Sequence, residues 1–495
     1  MKKITLNMKK ITLKMKKKTL ILSFLSIFII IIGLLFVGKT DNRIIFTVKN
    51  SIPLDFRIFI KKSILFPFYQ QSEINKLTKD NKSLSIKSLD LENHIGYLRE
   101  YITKVDLNLN TNDSIILPQI ENEKTILSNL KNEYKLKKFY FIPTTPWQYN
   151  GRKPGAYLFQ HEEIIFTIDG NGKIGYFPID ELENSSLKFN KIKNNLNKLI
   201  KHDSLIHSKS KFGFRGLMIN KGKIYISYQK KVLNDCYNIS IMKAEFNLKS
   251  LNFKDFFTYD ECSTNMANHS GGKMVPFDDQ SFLFTTGDAQ IFISAQKEDS
   301  MFGKLLKINY DDASFNSIAK GMRDTQGASL YKEDNLVIMT EHGPQGGDEI
   351  NILKLDEFDK NINFGWPIAT YGGLGPTPIV ENKFDFKDGD NNHAVNGFKE
   401  PAHWYKSKSI APSAIINVDN FRDNFKSDFF MSTMGNIPAP GRRSIHHIRF
   451  DKKYEKLTYL DIIPIGERIR DLIYLKDQKK IILILENSPS IAVLY

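Results

Sequence analysis

Four segments join side chains that can bind charge or move a proton to the glycines that mark loops. They are Asn268-His-Ser-Gly-Gly-Lys273, Gly321-Met-Arg-Asp-Thr-Gln-Gly327, Glu341-His-Gly-Pro-Gln-Gly-Gly-Asp-Glu-Ile350 and Glu467-Arg-Ile-Arg-Asp471. A neutral imidazole takes a proton near pH 7, and a guanidinium pairs bidentately with a carboxylate. Taken singly, each segment has a plainer explanation. A Gly-Gly pair marks a tight turn, a loop arginine is solvated, and a lone histidine is structural. There is no Ser/His/Asp nucleophile pattern and no phosphate-binding glycine loop. Cys236 and Cys262 are too few for an all-cysteine zinc or iron–sulfur site. His446-His447 falls in an expected strand, where alternation sends the two rings to opposite faces and argues against a joint metal site.

The elements that must position these loops are short strands. From about residue 137 apolar runs alternate with turns, beginning with a hairpin at 163–168 and 174–177 around Asp169-Gly-Asn-Gly172. Further runs fall at 223–228, 239–246, 281–286, 304–308, 336–340, 349–355, 429–433, 444–450, 480–485 and 490–494, with no long helical periodicity between them. That is too many strands for one sandwich, and radial repetition removes most open edges. At four strands and roughly 40–60 residues per blade, the region fits an all-β, six-bladed propeller over 137–495.

Together and in this order, the four segments resemble the glucose/sorbosone dehydrogenase family, the soluble quinoprotein aldose dehydrogenases. The resemblance runs from about Pro146 to the C-terminus. It is strongest where Glu341-His-Gly-Pro-Gln-Gly-Gly-Asp-Glu-Ile-Asn351 is followed by Asn363-Phe-Gly-Trp-Pro367. Phe214-Arg-Gly-Leu217, Gly303-Lys-Leu-Leu-Lys-Ile308 and Ser409-Ile-Ala-Pro-Ser413 support it. The resemblance implies a six-bladed propeller that uses pyrroloquinoline quinone (PQQ) and calcium to oxidise the anomeric carbon of aldoses to lactones. It makes His269 the catalytic base and assigns cofactor binding to Arg323, Asp324, Gln326, His342, Ser409, Arg468 and Arg470. Gly343 and Pro344 would give carbonyls to the calcium beneath the quinone, and Glu349 would serve a second, structural calcium. Three positions depart from the family pattern. Phe214 stands where a glutamine or small polar residue borders the sugar pocket, and Asp324 stands where asparagine follows the arginine. The lysine expected after 429–433 is missing, and Arg442 or Arg443 is its candidate replacement.

The 495 residues are 41% hydrophobic and 25% charged, which excludes a disordered, collagenous or coiled-coil chain. The net charge of +15 includes eight lysines and no acid in residues 1–18, leaving +7 elsewhere, so nucleic acid is not an expected partner. Thr19 to Val37 is nineteen residues without a charge, enough helix to span a hydrocarbon core. The expected organisation is a basic cytoplasmic tail (1–18), a transmembrane anchor (19–38), a partly helical stalk (39–136) and the propeller outside the membrane. In an exported domain Cys236 and Cys262, brought together by an antiparallel pair, form one disulfide; two separate thiols are the alternative. Two functions follow. One is a membrane-anchored, periplasm-facing sugar dehydrogenase passing electrons to an acceptor the sequence does not name. The other is a catalytically silent propeller that binds a saccharide or a protein.

Overall fold

Leu336-Val-Ile-Met339 sets four apolar side chains in a row, a pattern that only a strand covered on both faces can bury. In the computed structural model all four are fully buried. Leu336 and Ile338 pack with Ile415, Phe429 and Met431 of the following sheet. Val337 and Met339 pack with Leu283 and Leu305 of the preceding one. Alternation along one strand thus feeds two inter-sheet layers, and the core is a series of such layers rather than one central cluster.

The structure describes residues 113–495 apart from 142–154, 171, 200–212, 234–235, 265–268, 345, 373–392, 407–408, 423–425 and 436–438. These residues form five sheets, three of four strands, one of five and one of ten; the ten-stranded sheet holds two four-stranded units joined through Ser114–Leu127, so the strands make six antiparallel four-stranded units. The first strands of these units are Ala156–His161, Phe214–Asn220, Gly271–Pro276, Thr325–Tyr331, Pro412–Asn417 and Ile469–Leu475. Each neighbours the next, and Ile469–Leu475 returns to Ala156–His161, so the inner strands close a ring. The architecture is all-β and of the propeller type, with blades numbered here in that order.

The closure draws on residues expected in the stalk. Glu133–Tyr140 pairs antiparallel with Ser490–Leu494 and becomes the outer strand of the sixth blade. Ser114–Leu127 then pairs with Glu133–Tyr140 on one side and with Ser186–Asn194 of the first blade on the other. The propeller therefore includes strands from Ser114 to Tyr140 that the sequence reading placed in the stalk. The sequence reading missed these strands because Glu121, Glu123 and Lys124 break the apolar alternation. A strand that joins two outer edges has one solvated face and needs little apolar patterning. The expected anchor and the rest of the stalk lie outside the described residues. Among the described residues, no helix is long and apolar enough to cross a membrane.

Candidate active site

The motifs singled out in the sequence sit where inner strands begin. His269 precedes Gly271–Pro276, Arg323 and Asp324 precede Thr325–Tyr331, Ser409 precedes Pro412–Asn417, and Arg468 precedes Ile469–Leu475. The Glu341-His-Gly-Pro segment follows the antiparallel strand Leu336–Glu341, whose last residue faces Thr325. It therefore returns to the same end of the axis. Direct contacts tie these segments together, and they span some 200 residues of sequence.

His269 has a left-handed backbone (φ 56°), and its side chain is 15% exposed. Its Nδ1 lies 2.8 Å from Asp288 Oδ1, and Asp288 is fully buried. Asp288 also accepts the Gln290 N–H at 2.8 Å and the Trp366 indole N–H at 2.7 Å. A carboxylate so placed only accepts, so Nδ1 carries the proton and Nε2 keeps its lone pair. The close approach is built into Gly287, where a Cβ would fall 1.9 Å from the His269 carbonyl oxygen. The sequence reading did not select Asp288. Gly287-Asp288 at the end of a strand reads as an ordinary turn.

Arg323 donates to the His342 carbonyl at 2.8 Å and stacks over Trp366 at 5.2 Å, while its buried Nε has no hydrogen-bond partner among the described residues. Asp324 is buried. It accepts Gln326 Nε2 at 2.9 Å and the Gly271 N–H at 3.4 Å. His342 approaches the Pro412 carbonyl through Nε2 at 2.6 Å, and burial pushes its pKa down. Arg468 and Arg470 both donate their Nε–H to Glu486, one to each oxygen, and Glu486 is buried. Burial alone would raise the Glu486 pKa, but Arg470 and Arg468 hold it below the usual carboxylate range. Glu486 was not picked out in the sequence, because it lies in the apparent turn between two strands.

Gly343, Pro344 and Glu349 line one small cavity together with Glu341, Arg323 and Trp366. Glu349 was expected at a separate site; the structure puts it beside the two carbonyl residues. Glu341 and Glu349 face each other across adjacent strands, and both are buried. Burial pushes Glu341 up to about 8; burial and then the neighbouring Glu341 push Glu349 well above the usual range. Two opposed buried carboxylates call for protons or a cation between them. Asp348, also buried, gathers the Gly343 N–H, the Ser409 hydroxyl and the Ile410 and Ala411 N–H groups. The Ser409 hydroxyl is thus committed as a donor to Asp348. Among the described residues no cluster of three or more His, Cys, Asp or Glu side chains surrounds a metal position, so any cation here would rely on backbone oxygens as well.

Two departures from the family pattern look different in three dimensions. Phe214 is fully buried in the layer between the first two blades, with Phe166, Leu196 and Tyr228. Arg443 donates Nε–H to the Gly435 carbonyl at 3.2 Å, inside its own blade corner. Cys236 and Cys262 are bonded. Next to the bond, Ser263 pairs with Tyr237 and donates to the Ala289 carbonyl, and the Ala289 N–H donates to the His269 carbonyl.

Comparison with known proteins supports the same assignment. The aldose sugar dehydrogenase YliI of Escherichia coli is 34% identical over 170 residues, 31% of this chain and 42% of that protein, so the match spans less than half of the relative. The solved apo-form of the E. coli soluble aldose sugar dehydrogenase covers 76% of this chain and 99% of its own, with a TM-score of 0.54 and 18% identity. The PQQ-bound aldose sugar dehydrogenase of Streptomyces coelicolor covers 73% and 98%, with a TM-score of 0.50 and 15% identity. At such identities the two structures speak for the fold alone. The glucose/sorbosone dehydrogenase profile matches residues 218–492, more than half of the sequence. With the propeller-type fold and the converging motifs, this match settles the family: the chain belongs to the glucose/sorbosone dehydrogenases.

Proposed function

We propose that the protein is a PQQ-dependent aldose dehydrogenase that oxidises the anomeric carbon of a sugar to a lactone. The observation that carries this reading is the His269–Asp288 pair, a held imidazole with a free Nε2, set among cations that gather at the same end of the axis. His269 Nε2 takes the proton of the anomeric hydroxyl, and Asp288 stabilises the imidazolium that forms. A bound quinone supplies the acceptor for the hydride that leaves the same carbon. Arg468 and Arg470 both donate to Glu486, and two guanidinium groups held side by side suit a ligand with three carboxylates. Arg323, whose Nε has no hydrogen-bond partner among the described residues, and Gln326 complete the binding set. The opposed Glu341 and Glu349, with the carbonyls of Gly343 and Pro344, offer hard oxygen ligands suited to calcium. Asp324 acts through Gln326 and the Gly271 backbone, and its charge is turned into the protein rather than toward a bound anion.

The nineteen-residue uncharged segment and the lysines before it support anchoring in a membrane, with the propeller on the extracytoplasmic side. Titration of the purified apo-protein with PQQ and calcium, read by cofactor absorbance and by dye reduction with a panel of aldoses, tests the enzyme reading. Failure to bind PQQ with calcium in excess would leave only the catalytically silent, saccharide- or protein-binding propeller. Retention in the membrane fraction through a high-salt wash tests the anchor.

A further inference from the structure

Arg215 and Lys273 belong to sequence motifs that no step above uses, yet both face one small cavity on the propeller axis. Tyr157, Arg215, Lys273, Gln326, Arg470 and Asp471 line it, drawn from five of the six inner strands. The backbone forces the first two cations together. Gly272 has φ 104°, and a Cβ there would fall 2.4 Å from Arg215 Cβ. Ser227 Oγ donates to the Gly272 carbonyl at 2.6 Å and closes the gap between the second and third blades. Arg215 and Lys273 therefore stand on neighbouring strands where those strands approach most closely.

Three cations, Arg215, Lys273 and Arg470, line this cavity. Arg470 also donates to Glu486 beside Arg468. Asp471 is the one carboxylate among the described lining residues. Its Oδ2 accepts the Leu158 N–H at 3.0 Å, and Lys273 Nζ lies 3.4 Å from its Oδ1, a loose pair. Gln326 separates the cavity from Asp324, donating Nε2 to that carboxylate and accepting from Arg470 at 3.5 Å. Arg215 and Arg470 are each under a tenth exposed, so water screens little of their charge. Two guanidinium forks and a mobile ammonium around one space match a carboxylate in both shape and charge.

We infer that Arg215, Lys273 and Arg470 form a carboxylate-binding seat on the axis. On the reading proposed above, which this inference rests on, the seat holds a carboxylate of the cofactor. Lys273 then supplies the ammonium that the fifth blade lacks, exchanging Asp471 for the incoming ligand. An acidic sugar carries the same chemistry, so the test has an arm for each source. The full chain and its Arg215→Gln, Lys273→Gln, Arg215→Lys and Lys273→Arg variants are titrated with PQQ plus calcium, followed by absorbance, and separately with D-glucuronate, followed by Tm.

The expected result is PQQ binding by the wild type, weakened about tenfold or more in each glutamine variant and largely restored in the charge-retaining ones. Tm values without ligand show which variants fold, and the Lys and Arg replacements keep the comparison open if a glutamine variant does not. Equal PQQ affinity in wild type and folded glutamine variants would overturn the seat and leave the quinone reading intact. No PQQ binding, with glucuronate stabilising the wild type but not the glutamine variants, would keep the seat, assign it to an acidic sugar and remove the quinone reading. Silence of the wild type toward both ligands would overturn both.

Discussion

His269 Nδ1 and Asp288 Oδ1 stand 2.8 Å apart, with the carboxylate buried and also held by Gln290 and Trp366. The pair fixes which ring nitrogen is held by the protein and, on the proposed reading, which one faces the sugar. Replacing His269 with Ala removes the proton acceptor, and kcat should fall by about 10²–10⁴-fold while PQQ affinity stays nearly unchanged. Asp288→Asn frees the tautomer and the ring orientation, so it should lower kcat strongly with a smaller change in KM. Steady-state kinetics beside cofactor titration separates the two effects. A large loss of PQQ affinity in His269→Ala would contradict the role of base.

Glu341 and Glu349 are cross-strand partners buried beside the same cavity as Gly343 and Pro344. A divalent ion between them relieves both their burial and their mutual repulsion. Calcium should raise the Tm of the wild type, and a chelator should reverse the rise. In Glu349→Gln the calcium-dependent rise should shrink or vanish, while the Tm in chelator stays the same or increases, because one of two opposed buried acids is gone. An undiminished calcium response in this variant would place the ion elsewhere.

Glu486 holds Arg468 and Arg470 and has a folded pKa below its ordinary 4.5. A depressed carboxylate pKa adds stability that is complete above about pH 4.5 and lost as pH falls through the folded value. Glu486→Gln removes the shared counter-charge of the buried Arg470 and the partly exposed Arg468 and should cost about 3–5 kcal/mol at pH 7. It should also flatten the loss of stability below pH 4.5. Urea unfolding from pH 3 to 7 reads both effects.

His446 is buried, with Nε2 on the Gly441 carbonyl at 2.8 Å and Nδ1 on the Tyr405 hydroxyl at 2.9 Å. The neutral ring is satisfied as it stands, and burial pushes its pKa down to about 4 from 6.5. In the unfolded chain the ring takes a proton below pH 6.5. The folded state therefore loses stability as pH falls from 6.5 toward 4, by up to about 3 kcal/mol. His446→Gln should reduce that slope. An unchanged slope would assign the acid sensitivity to other groups.

The Cys236–Cys262 bond joins residues 26 apart in sequence, next to Ser263, which is tied through Ala289 to the His269 carbonyl. Loop-closure entropy gives such a bond a stabilisation of about 3–4 kcal/mol. Reduction, or a Cys236→Ser, Cys262→Ser pair, should lower the denaturation midpoint by a corresponding amount. Activity should fall more steeply with temperature than in the oxidised protein, because the His269 segment loses its tether.

The sequence by itself determined the all-β class, the residues of most strands and the family, because strand periodicity and glycine-marked loops are local properties of the chain. It also determined that His269, Arg323, Arg468 and Arg470 are the residues to watch, since their motifs occur together and in order. It could not show that Ser114–Leu127 closes the ring. That strand's reason for being extended lies in partners some 70 residues away and in the C-terminal strand's neighbour, not in its own pattern. Asp288 and Glu486 were invisible for the same reason: each is a single acid in a turn-like context, and its value comes from donors contributed by distant segments. Asp348 stood in a quoted motif, but nothing local gave it a role. Phe214 shows the converse. A residue suspected of bordering the site turned into a packed layer, and its neighbour Arg215 faces the axis instead. Which side of a strand meets the axis, and which acid meets which cation, depends on the register of six four-stranded units around a closed ring. Only the tertiary structure decides that, because buried charges must be paired across whatever blades the closure brings together.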